Sequence, residues 1–134
     1  MACTIEQVVE FSGTTPEQLF DIYLDKIRHG DAIGAPVEVS RDEGAAFEAF
    51  GGGVRGRNLL ILPGRMVVQS WRGTPWSTSD VDSVLVLSFE ASAAGAAVRL
   101  VQAMVPEAAG EVIAEGWHRM YWEPWRAYLR AGRR

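Results

Sequence analysis

Cysteine, lysine and histidine are scarce in this chain of 134 residues, and the shortages of cysteine and histidine exclude several kinds of site. Cys3 is the only cysteine, so neither an intrachain disulfide nor a cysteine-based zinc site is possible. Lys26 is the only lysine, and arginine supplies the remaining permanent positive charge. The two histidines, His29 and His118, have no cysteine, histidine or aspartate at a metal-ligand spacing, so we predict no metal site and no cofactor.

Long apolar runs are also missing. No run approaches the roughly 20 residues that a membrane helix needs, and the N-terminus lacks the basic and apolar segments of a signal peptide. We therefore expect a cytoplasmic protein without a membrane partner, and the lone cysteine fits a reducing compartment. Arginine in place of lysine, together with abundant alanine and glycine, indicates a GC-rich bacterial genome.

The charge balance argues against nucleic acid as a partner. The net charge is −4 and the pI is near 5.2, whereas proteins that bind nucleic acid usually present a basic face. We interpret the arginines of the C-terminal tail as a solvated helix end that favours cations; they are Arg126, Arg130, Arg133 and Arg134. With 48% hydrophobic residues and no linker-like segment, residues 1–134 are expected to form a single domain with a real core.

The first 31 residues predict a strand followed by a helix. Residues 4–11 alternate between apolar and polar, which is typical of a half-buried strand. Thr14 or Thr15 then caps a helix that has Pro16 in its first turn. We expect this helix to run to about His29, whose charge would suit the helix end. Its predicted buried stripe is Leu19, Phe20, Tyr23, Leu24 and Ile27.

Residues 37–104 predict an antiparallel sheet joined by short turns. Strands are expected at 37–39, 45–50, 54–62, 65–72, 83–90 and 97–104. Because side chains alternate between the two faces of a strand, the charged residues mark the wet face and their neighbours point inward. The predicted inner face combines large apolar groups with three amides: Phe47, Asn58, Leu60, Gln69, Trp71, Leu87, Gln102 and Met104.

The C-terminal region predicts one long and unusually aromatic helix, entered at Pro106 and kinked at Pro124. Aromatic and apolar residues at spacings of three and four form its stripe: Trp117, Met120, Tyr121, Trp125 and Tyr128. Either this stripe is plain core or it forms one wall of a ligand cavity. Two interpretations also apply to the inward-facing amides: they could satisfy one another's hydrogen bonds, or they could orient a ligand.

Several sequence blocks resemble the C-terminal domain of the activator of heat-shock protein 90 ATPase. In order they are Phe50-Gly51-Gly52, Gly56-Arg57-Asn58-Leu59, Pro63-Gly64-Arg65, Val68-Gln69-Ser70-Trp71-Arg72, Gly116-Trp117, Tyr121-Trp122-Glu123-Pro124 and Tyr128-Leu129. The resemblance implies the α+β helix-grip fold of the START/Bet v allergen-like (SRPBCC, TBP-like) superfamily, in which a curved antiparallel sheet wraps around a long C-terminal helix. It also implies a link to the stress response and, through the family name, a chaperone as a possible partner.

The resemblance leaves three functions open. The leading hypothesis is non-enzymatic binding of a small hydrophobic molecule between the sheet and the last helix, by the inner-face set together with Trp117 and Tyr121. The alternatives are a protein-interaction module of the chaperone-activator type and a small cyclase-like or hydrolase-like enzyme. We expect a stand-alone relative, because 134 residues leave no room for the extra chaperone-binding domain of eukaryotic activators. For the same reason Hsp90 is not expected to be the main target.

The outer face of the predicted sheet is more apolar than an exposed antiparallel face usually is. The residues concerned are Leu59, Ile61, Met66, Val68, Val84, Val86 and Val101. Either these side chains serve strand propensity alone, or they form the interface of a homodimer.

Overall fold

The computed structural model describes residues 2–132, in which an antiparallel sheet of seven strands faces a C-terminal helical segment. The strands are β1 (Ala2–Ser12), β2 (Val37–Glu38), β3 (Ala46–Ala49), β4 (Val54–Leu62), β5 (Met66–Gly73), β6 (Ser83–Ala91) and β7 (Gly95–Pro106). Their order across the sheet is β1-β7-β6-β5-β4-β3-β2. The predicted α+β class and helix-grip architecture are confirmed. Arg133 and Arg134, part of the predicted basic tail, lie outside the described residues.

Two helices follow β1 where one was expected. Helix α1 (Pro16–Leu24) begins with a capping box from Thr15, as predicted. It ends at Leu24, and the carboxylate of the next residue, Asp25, accepts from the backbone N–H of Arg28 and caps helix α2 (Lys26–Ile33). This restart rotates the helical face. Ile27, predicted to be buried, is therefore 67% exposed, whereas His29 is buried.

The C-terminal segment contains helix α3 (Gly110–Trp117), a π-helical segment (His118–Trp122) and helix α4 (Glu123–Arg130). Because of the π segment, the apolar stripe predicted for this region from α-helical spacing is wrong at two positions. Met120 is 40% exposed, and Trp122, which the stripe omitted, is fully buried. Each wider turn holds an extra residue, so Trp117 and Trp122, five positions apart, stack with ring centroids separated by 5.4 Å. Among residues 2–132, no helix is long and apolar enough to cross a membrane.

Two β-bulges correct the predicted inner face. In β4 the pairing with β5 shifts between Asn58 and Leu60, and in β7 the pairing with β1 shifts across the stretch containing Met104. An extra residue reverses the alternation beyond it. Leu60 and Met104, both predicted to face inward, are therefore 39% and 48% exposed. Ile61, predicted to face outward, packs against the core instead.

Candidate functional site

An open cleft lies between the sheet and the C-terminal segment. It has a volume of about 370 Å³ and is found where the start of β4 and the end of β5 meet α3 and the π segment. Its walls are mainly apolar and aromatic, with a threonine and an arginine among them: Phe50, Val54, Trp71, Thr74, Val112, Ile113, Gly116, Trp117, Arg119, Met120 and Tyr121.

The cleft uses fewer of the predicted residues than expected. Trp71, Trp117 and Tyr121 line it, but Phe47 and Leu87 are buried in the core, while Leu60 and Met104 lie on the outer face of the sheet. The expectation that most of the inner-face set would line the cavity is therefore wrong. Aromatic rings fill much of the space that a deeper cavity would need, since the buried core includes Trp122, Trp125, Phe11 and Tyr23.

A chain of hydrogen bonds joins the indole of Trp117 to the backbone of Trp71 in the cleft wall. The Trp117 Nε1–H donates to Gln102 Oε1 at 2.9 Å, and Gln102 Nε2 donates to Ser83 Oγ at 3.0 Å. Ser83 Oγ in turn donates to the carbonyl of Trp71 at 2.7 Å. Gln102 therefore acts behind the wall, where it holds Trp117 beside Trp71 with ring centroids 6.2 Å apart.

The other two inward amides form a second buried network. Tyr23 donates its hydroxyl to Gln69 Oε1 at 2.7 Å, and Gln69 Nε2 donates to Asn58 Oδ1 at 2.9 Å. Asn58 Nδ2 then donates to the carbonyls of Ser40 and Asp42 at 2.9 and 3.1 Å. Each amide thus has protein partners, as buried polar groups require. The contacts favour the interpretation that these amides satisfy neighbouring protein groups.

His29 is the buried polar residue that sequence reasoning placed wrongly. Its Nδ1–H donates to the carbonyl of Tyr23 at 2.6 Å, which leaves Nε2 to accept from the hydroxyl of Tyr121 at 2.8 Å. Burial lowers the pKa of His29 from 6.5 to about 4, against a smaller opposing effect of the Tyr23 carbonyl. The histidine is therefore neutral at neutral pH. Asp25, a capping residue type four positions earlier, was the sequence signal for the restart that turns His29 inward.

Tyr121 links this buried histidine to the cleft. Its ring lines the cleft, while its hydroxyl points to His29. Burial raises the pKa of Tyr121 above its ordinary value, so the phenol keeps its proton and donates to the neutral imidazole. The pair consequently fixes the orientation of one wall. Within residues 2–132, no group of three His, Cys, Asp or Glu side chains could hold a metal ion.

The edge of the cleft carries Phe50 and Arg119. Phe50 has a φ of 56°, in the left-handed region that non-glycine residues seldom occupy, and Gly51 follows with a φ of 64°. This turn places the Phe50 ring edge-on to Tyr121 with centroids 6.0 Å apart. Arg119 is exposed and lies 3.8 Å from Glu115, a separation at which solvent screens most of the attraction. A ligand in the cleft would therefore meet apolar walls and one cationic group at the rim.

Solved structures with the same fold come from distant organisms. An HSP90 activator from Plasmodium falciparum superposes with a TM-score of 0.80 at 21% identity, covering 96% of each chain. A protein from Mesorhizobium loti gives 0.81 at 18% identity, covering 96% of this chain and 98% of the other. At these identities the likeness establishes the fold alone.

Sequence comparison identifies the family. The activator of 90 kDa heat shock protein ATPase homolog of Dictyostelium discoideum is 27% identical over 106 residues, which is 78% of this chain but 27% of the relative. The chain thus spans about a quarter of the length of that relative. Residues 13–130 match the family model described as activator of Hsp90 ATPase homolog 1-like protein. The motif resemblance is therefore confirmed, and the chain belongs to the activator of Hsp90 ATPase homolog 1-like family.

Proposed function

We propose that this protein binds a small hydrophobic molecule, without transforming it, in the cleft beside Trp71 and Trp117. The observation that carries the proposal is an open space of about 370 Å³ with largely apolar walls, in a range typical of small-molecule sites. The hydrogen bonds of Gln102 and His29 hold Trp117 and Tyr121 in place before a ligand arrives. Such preorganisation reduces the entropy lost on binding.

The walls define the class of ligand. A compact and mostly apolar molecule would cover the faces of Trp71 and Trp117 and the side chain of Val54. Polar atoms of the ligand would lie at the rim, where Thr74 and Arg119 are found. The guanidinium of Arg119 favours a ligand with a carboxylate or another anionic group at that end.

Gly116 offers a direct test of this proposal. A Cβ atom built on Gly116 meets no atom within 4 Å, and the residue lines the cleft within a helix. Gly116→Leu should therefore fill part of the cleft without backbone strain. Gly116→Ala is the matched control, because it makes the same gain in helix propensity with a single methyl group.

The experiment uses anilinonaphthalene sulfonate, an apolar aromatic probe with one anionic group, followed by fluorescence titration. We expect Gly116→Leu to weaken binding at least about tenfold and Gly116→Ala to leave it within about threefold. Equal binding by both variants would refute the cleft as the site. If the two variants differ as expected, mass spectrometry of small molecules that copurify with the native protein would identify the natural ligand.

Interaction with an Hsp90-type chaperone is the second candidate. The family match supports it, and so do two apolar side chains, Val112 and Met120, which are exposed beside the cleft. Exposed apolar groups at the edge of a groove are typical of protein contacts. In this alternative the helical segment carrying Val112 and Met120 would contact the chaperone.

The two candidates separate in one comparison. If the chaperone is the partner, adding the protein should raise the ATPase rate of purified Hsp90. Val112→Ser with Met120→Gln should then abolish the stimulation. An unchanged ATPase rate on adding the wild-type protein would exclude the chaperone as a partner. The probe titration tests ligand binding independently of that result.

A further inference from the structure

We propose that Phe50 sets the length of ligand that the cleft accepts, because its ring closes one end of the cleft. This role rests on the proposed function, since it concerns the extent of the same cleft. Three features of the molecule support it: the backbone conformation of Phe50, the position of its ring in the aromatic wall, and a second cleft on the other side of the same turn.

The backbone of Phe50 has a conformation that is strained for any residue with a Cβ atom. Its φ of 56° lies in the left-handed region, and Gly51 and Gly52 continue the turn with φ values of 64° and 94°. Glycine adopts such angles freely, whereas phenylalanine does not. Strained backbone of this kind is concentrated at binding and active sites. The side chain that this turn positions is therefore a candidate for a role in the site.

Two backbone hydrogen bonds hold the turn in this conformation. The N–H of Phe50 donates to the carbonyl of Pro36 at 2.9 Å, and the N–H of Gly53 donates to the carbonyl of Phe50 at 3.2 Å. The Phe50 ring is half-buried, so it contributes less to core packing than the fully buried rings do. Its position in the cleft remains as the reason for a phenylalanine where glycine would relieve the strain.

The Phe50 ring lies at one end of the aromatic wall of the cleft. Successive rings along this wall are Phe50, Tyr121, Trp117 and Trp71, with centroids 6.0, 4.7 and 6.2 Å apart. The plane of the Phe50 ring makes an angle of 80° with that of Tyr121. A ligand that lies along the wall therefore meets the Phe50 ring as an obstacle at that end.

A second open cleft, of about 410 Å³, lies on the other side of the turn. Phe50 lines the first cleft, whereas the next residue, Gly51, lines the second. Pro36, whose carbonyl accepts from the Phe50 N–H, also lines the second cleft. The turn is therefore the partition between the two clefts, and the Phe50 ring is the part of it that belongs to a side chain.

The second cleft could receive the apolar end of a longer ligand. Its lining includes the apolar residues Ile27, Pro36 and Val37, and Ile27 is exposed there. Asp31 and Glu48 belong to the same lining and disfavour an anionic group. With the ring in place, the first cleft should select short apolar ligands. Without the ring, a longer chain should extend past the turn into the second cleft.

Competition with the fluorescent probe tests the role of the ring. Straight-chain carboxylates from hexanoate to tetradecanoate are used to displace bound anilinonaphthalene sulfonate. Each added methylene group that becomes buried should tighten binding roughly three- to fourfold. We expect this gain to stop in the wild type once the chain reaches Phe50, and to continue in Phe50→Gly. The preference for tetradecanoate over hexanoate should therefore be at least about tenfold greater in Phe50→Gly than in the wild type.

Ile113→Ala is the matched control, because it removes an apolar side chain from the helical side of the same cleft. It should weaken every carboxylate by a similar factor and leave the length preference within about threefold of the wild type. An unchanged length preference in Phe50→Gly, or an equal rise in Ile113→Ala, would refute the role of Phe50 while leaving ligand binding intact. A wild type that binds neither the probe nor any carboxylate would refute both proposals.

Phe50→Ala tests the backbone conformation and provides a second variant without the ring. Both Phe50→Ala and Phe50→Gly should accept the longer carboxylates, but only glycine fits a φ of 56° without strain. Phe50→Gly should therefore unfold at the higher urea concentration of the two, and circular dichroism establishes that both are folded. If Phe50→Ala were as stable as Phe50→Gly, the left-handed conformation would be absent and the proposal would be overturned.

Discussion

The two ends of the C-terminal helical segment lie against the same sheet but differ in how the space beneath them is used. Toward the α4 end, Trp122 at the close of the π segment and Trp125 of α4 are fully buried against Phe11, with ring centroids 6.2 and 5.8 Å away. At the α3 end, Trp117 and Trp71 leave a cleft of about 370 Å³ open to solvent. One end thus supplies packing and the other supplies space.

The π segment lies between these two ends and accounts for part of the difference. Its extra residue turns Trp122 into the core while leaving Met120 at the rim of the cleft. π-helical turns are rare in proteins as a whole, but those that occur are often found at functional sites. The comparison teaches that one continuous helix would have repeated the same face, whereas the interrupted helix presents a sealed surface at one end and an open surface at the other.

The largest expected effect is at the filled end. Trp122→Ala should destabilise the protein by about 4–5 kcal/mol, since it removes a fully buried ring and leaves a cavity. It also leaves Gln7 Oε1 without the Trp122 Nε1–H that it accepts at 2.9 Å. Urea unfolding measures the effect. A loss below about 2 kcal/mol would show that the filled end can collapse around the cavity.

At the open end, Trp117→Ala should cost about 3–4 kcal/mol. The ring is buried, but one side borders the cleft, so fewer packing contacts are lost than at Trp122. The same urea experiment ranks the two variants. A loss of less than about 1 kcal/mol would show that Trp117 is peripheral to the core, and a loss exceeding that of Trp122→Ala would reverse the comparison.

The pH dependence of stability examines the boundary between the two ends, where His29 bonds to Tyr121. The folded-state pKa of His29 is about 4, against 6.5 for an unperturbed histidine. Between these values the unfolded chain binds a proton that the folded protein excludes, so stability falls as the pH is lowered through this window. The loss is at most about 3 kcal/mol from this residue. Urea unfolding at several pH values measures this effect. The free energy of unfolding should fall with pH in this window for the wild type, and His29→Asn should lack this part of the decrease.

The smallest expected effect separates the two roles of Tyr121. Tyr121→Phe keeps the ring that lines the cleft but removes the hydroxyl that donates to His29 Nε2. It should cost about 1–2 kcal/mol, because a buried acceptor loses its partner, and it should leave binding of the fluorescent probe unchanged. Loss of probe binding together with stability would show that the hydrogen bond to His29 is needed to hold the wall of the cleft.

Much of the fold was predictable because it depends on local patterns. Alternation placed β4 at Val54–Leu62, and Thr15 with Pro16 marked the start of α1. The buried positions of Phe47, Leu87 and the three amides followed from the charged residues beside them. The errors at Leu60 and Met104 have one cause: a bulge inserts a residue without a distinct signal in the sequence.

The candidate site was less predictable. Helical spacing finds Trp117 and Tyr121, but Phe50 lines the cleft because of a left-handed turn, and Met120 lies at its rim because of the π segment. Helical spacing alone puts His29 at the end of one long helix, because it takes no account of the cap that Asp25 forms. Its neutral, buried state depends on the carbonyl of Tyr23 and on the hydroxyl of Tyr121, 92 positions away.

The sequence by itself determined the class of the fold, the family, the two-faced strands and the aromatic C-terminal segment, because these follow from local periodicity and from ordered motifs. The tertiary structure alone decided which rings seal the core, where a cleft remains and which apolar side chains reach the outer face. These outcomes depend on single extra residues, in two bulges and one π segment, that reverse or rotate every side chain beyond them.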